Sequence, residues 1–452
     1  MSWIYSSICS LRGWRTFTYL KYLRDWQFCN LNEVREAQMQ RLTKLLVHAS
    51  NYTSYYRIVL GEVGVIANNI VDLSKFSNIP FLDKTILREH SEELISKGYK
   101  KGGNTYWNTS GGSTGEPAQF LQDEVYRDWS HALTLLFSQW AGKKIGDREI
   151  ILWGSEKEYL EGNLSIRAKL SNFVLNRRFL NTFRMAVNNM NDYVSEINIF
   201  KPAHILAYVE SIYELARFIQ KKGLMVFSPN SIMTSAGTLY PHMRETIEAV
   251  FQAPVFNRYG SREVSAIASE CEAHMGLHIC PLTHYVEIVR PDGTPTEPNE
   301  VGEIVITSLT NYSMPLIRYR IGDMGVWAKE PCSCGCNWPL LKEVTGRTNS
   351  ILKTPAGVFD SAAIGTLLYF KDKDSKEPFR SFSKYQIIQT KIDELVLKVV
   401  VTDGDLWKTE RNIIEQKFAK IFGKEIRFVI HEMMDIPRLK SGKYAYVISL
   451  VE

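Results

Sequence analysis

At 452 residues the chain exceeds the length at which one hydrophobic core tends to split, so at least two domains are expected. An apolar fraction of 45%, a charged fraction of 23% and a net charge of +5 exclude a disordered chain, a fibrous repeat and a polybasic tail for nucleic acid. Seven cysteines (Cys9, Cys29, Cys271, Cys280, Cys332, Cys334 and Cys336) without a secretory signal argue against a disulfide framework, and for reduced thiols or a metal site in the cytoplasm.

The first stretch, "MSWIYSSICSLRGWRTFTYLKYLRDWQF", has no apolar run ending at a cleavage site, and Arg12, Arg15, Lys21 and Arg24 interrupt any membrane span. Its tryptophans and cations can rest peripherally on a membrane, although helices of this kind more often pack on their own domain. "EVREAQMQRLTKLLVHASNYTSYYRIVL" has apolar residues at helical spacing, and "PFLDKTILREHSEEL" follows with an Asp at a cap position. From "DREIILW" onwards, apolar runs alternate with helical segments through "KPAHILAYVESIYELARFIQKKG", "SIMTSAGTL" and "MRETIEAVFQAPVFNRYGS", which predicts a layered α/β domain. Residues 284 to 330 read as β-rich. A second unit begins near Gly346: "YQIIQTKIDELVLKVVV" predicts two strands and "KTERNIIEQKFAKIFGK" a helix with Ile414, Phe418, Ile421 and Phe422 on one face. "IRFVIHEM" and "YAYVISLVE" predict two more strands. The expected organisation is therefore a large α/β domain with a β-rich subdomain over 1–345, and a small α+β domain over 346–452.

The stretch "WNTSGGSTGEP" gathers Gly111, Gly112 and Gly115 with the hydroxyls of Thr109, Ser110, Ser113 and Thr114. Glycines let the main chain approach a ligand and turn N–H groups towards it, while hydroxyls donate to anionic oxygens, so the stretch has the make-up of a phosphate cradle. It is not the GxxxxGK[ST] loop, because Glu116 and Pro117 follow Gly115. Taken alone, a flexible Gly/Ser surface turn would explain it.

The order of further motifs decides between these readings. "TSGGSTGEP", "TSAGTL", "NRYGSREV", "IRYRIGD", "GRTNSILKTPAG" and "IPRLKSGK" succeed one another in a way that resembles the adenylate-forming ligases, the acyl-CoA synthetase superfamily. The resemblance spans nearly everything after residue 30. "YYR", "PFLDK", "YGSREV" and "CSCG" are similar to the phenylacetate-CoA ligase branch and, more closely, to CapK-like proteins of polysaccharide clusters.

That resemblance implies an enzyme that joins a small-molecule carboxylate to the α-phosphate of ATP, releasing pyrophosphate, and then passes the acyl group to CoA, an amine or a sugar-linked acceptor. It implies that Ser110 to Gly115, with Thr109, wrap the phosphates, although Ala118 stands where lysine is frequent. Ser235, Ala236 and Gly237 would line the adenine with Tyr259, Gly260 and Ser261 beside it. Glu263 would hold Mg²⁺, and Arg262 occupies the place of a threonine that contacts the α-phosphate. Asp323 would accept hydrogen bonds from the ribose hydroxyls, with Arg347 nearby. Lys443 would be the catalytic cation, delivered by rotation of the C-terminal domain about a hinge at Asn349, where relatives have Asp. Singly, Tyr259 could be a core aromatic, Asp323 a turn acid and Lys443 a solvated cation. Trp153, Tyr208 and His204 are candidates to line the carboxylate pocket.

Cys332 and Cys334 with Cys271 and a histidine can supply four ligands to a structural Zn²⁺. "GLHI" resembles a metal-binding stretch of phenylacetate-CoA ligase relatives and favours His278, with His274 and Cys336 as substitutes; buried inert thiols are the plain alternative. Aryl-CoA ligase is the main alternative activity. A nucleotide-binding scaffold with decayed chemistry is the other, suggested by Ala118, Arg262 and Asn349. Obligate dimers occur among similar proteins, so a homodimer is also admitted.

Overall fold

The computed structural model describes residues 13–68, 70–99, 104–110, 118–154, 172–182, 185, 188–347, 352–359, 368, 371, 378–423, 425–437 and 444–451. Gly111 to Gly115, Asn349 and Lys443 lie outside the described residues, as does the side chain of Arg347. The chain divides into two compact units, 1–321 with 325–343, and 322–324 with 344–452.

The first unit opens with helices α1 (Thr16–Trp26), α2 (Leu31–Tyr52) and α3 (Ser54–Glu62). A reciprocal cap starts α2: Asn30 accepts from the Glu33 N–H at 2.9 Å, and the Glu33 carboxylate accepts from the Asn30 N–H at 3.2 Å. Two short strands, β1 (Ile66–Ala67) and β2 (Ile70–Val71), pair before α4 (Lys84–Glu89), whose cap is Asp83. Leu20 and Leu23 of α1 are buried, and Tyr19 stacks on Trp129 at 4.1 Å between centroids. No helix among the described residues is long and apolar enough to cross a membrane.

Next comes an antiparallel hairpin, β3 (Thr105–Thr109) and β4 (Gln119–Asp123), leading directly into α5 (Glu124–Trp140). Its two strands enclose the glycine-rich stretch. Then follow β5 (Glu149–Trp153), β6 (Arg177–Asn181), α6 (Met190–Phe200), β7 (His204–Tyr208), α7 (Val209–Lys222), β8 (Ser231–Ser235), α8 (Pro241–Phe251) and β9 (Val255–Ser261). Strands β5 to β9 pair in parallel through right-sized crossovers, and α7 ends where Gly223 adopts the left-handed conformation (φ 62°) that terminates helices cheaply. The β-rich part contributes β10 (Ser265–Glu270), β11 (Leu277–Ile279), β12 (His284–Val289), β13 (Val301–Ser308), β14 (Tyr319–Trp327) and β15 (Leu340–Arg347). Among the described residues these strands form one sheet of eleven, in the order β12-β13-β14-β15-β11-β10-β9-β8-β7-β5-β6. The fold is thus α/β, with a parallel half and an antiparallel half joined at β9 and β10.

After the ribbon β16 (Leu352–Thr354) and β17 (Gly357–Phe359), the C-terminal unit is built on the hairpin β18 (Phe382–Lys391) and β19 (Glu394–Val401). Helix α9 (Gly404–Phe422) follows, and β20 (Arg427–Glu432) and β21 (Val447–Ser449) add in parallel to give the order β20-β19-β18-β21. Trp407, Ile414, Phe418 and Phe422 of α9 are buried against that sheet. Ile421, expected on the same face, is 38% exposed, because the edge of the apolar stripe has already turned outwards there.

Candidate functional site

In an open parallel sheet, ligands gather at the carboxyl ends of the strands. Trp153, Tyr208 and Ser235 are the last residues of β5, β7 and β8, and β9 ends at Ser261. The register pairs Tyr208 with Ser235 and Ser235 with Arg258, so Tyr259, Gly260 and Ser261 continue beside the Ser235–Gly237 turn. Ala236 has a positive φ of 68°, which turns the chain sharply after β8. A side chain at Gly237 would meet the Glu210 carboxylate, and one at Gly260 would meet the Ser265 carbonyl at 2.5 Å. The Gly260 contact is with main chain, so close approach requires a glycine there.

The ring of Trp153 lies 4.1 Å from that of Tyr208, which makes an aromatic floor at this edge. His204 does not belong to it, contrary to expectation. It is the first residue of β7, at the opposite end of the sheet, fully buried with Nδ1 2.9 Å from Ser231 Oγ, and burial pushes its pKa down to about 3. It is a neutral core histidine.

The neck of the glycine-rich stretch is closed by two hydrogen bonds. Ser110 N–H donates to the Ala118 carbonyl at 2.9 Å, and Ala118 N–H donates to Ser110 Oγ at 2.9 Å. Ala118 is wholly buried, so this position packs against the core.

Between β9 and β10 the turn Arg262–Glu263–Val264 reaches the same edge. Arg262 points to solvent, whereas Glu263 is buried at 6% exposure, and among the described residues no hydrogen bond or ion pair engages its carboxylate. A carboxylate that no side chain or main-chain group engages is available to a divalent cation carrying phosphate oxygens. The residues present therefore fit magnesium. Asp323 lies half-buried in mid-β14, and the main chain of Arg347 closes β15.

The cysteines converge elsewhere, beyond the antiparallel half. Cys271 follows β10, His278 is in β11, and Cys332 and Cys334 sit in the turn before β15; their four ligand atoms lie within 4.8 Å of one another. Cys271 Sγ is 3.5 Å from Cys332 Sγ, and Cys334 Sγ is 3.3 Å from His278 Nε2. The edge of a tetrahedral zinc–thiolate site is about 3.8 Å, given Zn–S bonds near 2.3 Å. Burial pushes the Cys271 thiol up to about 12 and raises Cys334, while it lowers His278 against an opposing main-chain group at Trp338. His278 is buried and Nδ1 makes no well-formed hydrogen bond. This donor set fits a tetrahedral zinc ion, which would offset the cost of the thiolates. His274 stands outside it, with Nδ1 3.2 Å from Glu270, and Cys336 contributes its main-chain N–H to Cys334 Sγ at 3.4 Å.

Comparisons with known proteins agree with this geometry. Residues 376–450 match the CapK C-terminal domain. Over 445 residues the chain is 24% identical to protein CapK of Staphylococcus aureus, covering 96% of this chain and 93% of that one. It is also 25% identical over 344 residues to phenylacetate-coenzyme A ligase of Thermus thermophilus, covering 71% and 72%. The chain is thus similar to CapK over nearly its whole length, and to phenylacetate-CoA ligases over about two thirds of it. The fold is shared with 2-hydroxyisobutyryl-CoA ligase in the postadenylation state bound to R3-HIB-AMP, with a TM-score of 0.74, 18% identity, and 94% and 91% of the two chains covered.

Sequence reading missed three residues that hold the Glu263 turn: Gln122, Tyr126 and His284. Gln122 Nε2 donates to the carbonyls of Arg262 at 3.0 Å and Glu263 at 3.2 Å, Tyr126 donates to Glu263 at 3.4 Å, and His284 Nε2 lies 2.8 Å from the Val264 carbonyl. No motif marks them; the one available signal was a polar residue, Gln122, on the core side of an apolar run.

Proposed function

We propose that this chain is a ligase that adenylates a small carboxylic acid and transfers the acyl group to CoA or an amine, in cell-surface polysaccharide assembly. The observation that carries the reading is the Glu263 side chain at the strand ends, whose carboxylate has no hydrogen bond or ion pair among the described residues, on a turn that Gln122 ties to the hairpin closed by Ser110 and Ala118. A carboxylate is a poor acyl donor because its leaving group would be oxide. In the first half-reaction its oxygen attacks the α-phosphorus of ATP and the bond to the pyrophosphate oxygen breaks; in the second, a thiol or amine attacks the acyl carbon and AMP leaves.

Ser235 to Gly237 and Tyr259 would seat the adenine, Asp323 would accept from the ribose hydroxyls, and Thr109, Ser110 and the stretch behind them would donate to phosphate oxygens. A magnesium ion on Glu263 would supply charge neutralisation on the polyphosphate. Lys443 would add a point charge where negative charge develops, with Arg262 and Arg347 as further cations. The zinc ligands would have no part in the chemistry: Cys332 and Cys334 precede Asn337 and Trp338, which bond to the main chain of Cys29 and Trp26, so an ion there would fasten the β-rich strands to α1.

The polysaccharide assignment is supported by similarity to CapK over nearly the full chain. A second reading, an aryl-CoA ligase, is supported by the similarity to phenylacetate-CoA ligase. Pyrophosphate release from Mg·ATP, measured against aryl, fatty, amino and sugar acids in the intact protein and in Lys443→Ala, tests adenylation. Release that depends on one acid and collapses in the variant is expected. ATP binding without release from any acid, with acceptors present, would favour a scaffold. A requirement for CoA in turnover of an aryl acid would favour the second reading.

A further inference from the structure

Three consecutive carbonyls, those of Arg262, Glu263 and Val264, are each held by a buried side-chain donor from another part of the chain. Gln122 comes from β4, Tyr126 from the first turn of α5 and His284 from the start of β12. A carbonyl only accepts, so His284 carries its proton on Nε2, and Nδ1 accepts from Thr283 Oγ at 2.9 Å. Burial keeps this imidazole neutral, with its pKa down at about 4. Gln122 is saturated: its Oε1 accepts from Asn108 Nδ2 at 3.3 Å across the hairpin while its amide protons go to the turn.

A connection of this length between antiparallel strands folds without such help, since its ladder partners already fix the register at Ser261 and Ser265. What distinguishes this one is its burden. It carries the Glu263 carboxylate, which no hydrogen bond or ion pair holds among the described residues, so the position of that group depends on the main chain beneath it.

We propose that Gln122, Tyr126 and His284 are positioning residues that set the Glu263 carboxylate for magnesium, and that Gln122 also couples its position to the hairpin bearing the glycine-rich stretch. The proposal rests on the reading of Glu263 as the magnesium-binding acid. Outer partners of metal ligands commonly change metal affinity by about ten- to a hundredfold. Loss of the Gln122 amide therefore weakens the magnesium-dependent part of nucleotide binding and leaves the magnesium-free part in place.

The test is calorimetry of ATP binding to the full chain with and without Mg²⁺, in the native protein, Gln122→Met, Tyr126→Phe and Glu263→Gln, with thermal melting of each. The native protein gains affinity from Mg²⁺, Glu263→Gln loses the gain, and Gln122→Met loses about tenfold of it while binding free ATP as before. Tyr126→Phe, which removes the long hydrogen bond to the Glu263 carbonyl and little volume, loses a smaller share; it carries the test alone if Gln122→Met fails to fold. A native-like gain in Gln122→Met and Tyr126→Phe, alongside a lost gain in Glu263→Gln, overturns the positioning role only. A gain that survives in Glu263→Gln, or that the native protein lacks, overturns the magnesium reading and the proposal with it.

Discussion

Cys334 Sγ lies 3.3 Å from His278 Nε2 across 56 residues of chain, and Cys271 and Cys332 complete the group within 4.8 Å. Purified protein is expected to hold about one zinc per chain by elemental analysis, and removal by a strong chelator lowers the melting temperature, because buried thiols without a cation lose the stabilisation that metal binding lends a local fold. Cys334→Ser should lose the metal, whereas Cys336→Ser should keep it, since Cys336 offers the cluster only its main-chain N–H. Metal-free protein with unchanged melting would remove zinc from the account.

Gly260→Ala places a methyl group 2.5 Å from the Ser265 carbonyl, a main-chain atom fixed by the β9–β10 pairing. Relief requires the strands to part just before the Glu263 turn. The expected result is a loss of about 1–3 kcal/mol in stability from overpacking, with Mg·ATP affinity falling more than affinity for free ATP. Equal affinities in variant and native protein would show that the turn tolerates the shift.

The parallel half of the fold was legible because β5, β7 and β8 are apolar runs bounded by helices with clear stops such as Gly223. The turns after β8 and β9 carry glycines and a left-handed Ala236, whose chemistry is local. Gln122 and His284 were not legible, because their partners lie 140 and 20 residues away and each residue type is common in ordinary cores. His204 misled for the converse reason: its place next to Tyr208 in sequence puts it at the other end of the same strand, about 3.3 Å per residue away from the site. Ala118 looked like a lost phosphate contact, but its complete burial makes it a packing position.

Lys443→Ala should reduce pyrophosphate release by about two orders of magnitude or more, as removal of a transition-state donor does, while ATP still binds. Asp323→Ala should behave oppositely, raising KM for ATP with a smaller effect on kcat, because ribose contacts are alike in ground and transition states. Steady-state kinetics of both variants checks the pair. A binding defect in Lys443→Ala equal to its kinetic defect would reassign that lysine from chemistry to affinity.

Acid should destabilise the protein in two windows. His204, His242 and His284 are buried, which holds their pKa values at about 3, 4 and 4. The unfolded chain binds their protons below about pH 6.5 and the folded one does not, so stability is full above that value and falls as pH drops towards 4. The slope approaches about 1.4 kcal/mol per pH unit for each such group. A second loss follows below pH 4.5 from Glu149. Burial raises its pKa, but Arg177 and Lys143 overcome that and hold it at about 2, so its contribution is present above the unfolded value and disappears as pH falls towards 2. Urea midpoints between pH 8 and 4 measure the first window. His242→Phe, which keeps an aromatic ring against Tyr240 and Tyr213, should reduce the slope there by about one proton's worth. A midpoint unchanged between pH 7 and 5 would mean that these imidazoles protonate without unfolding, through water that reaches them in the native state.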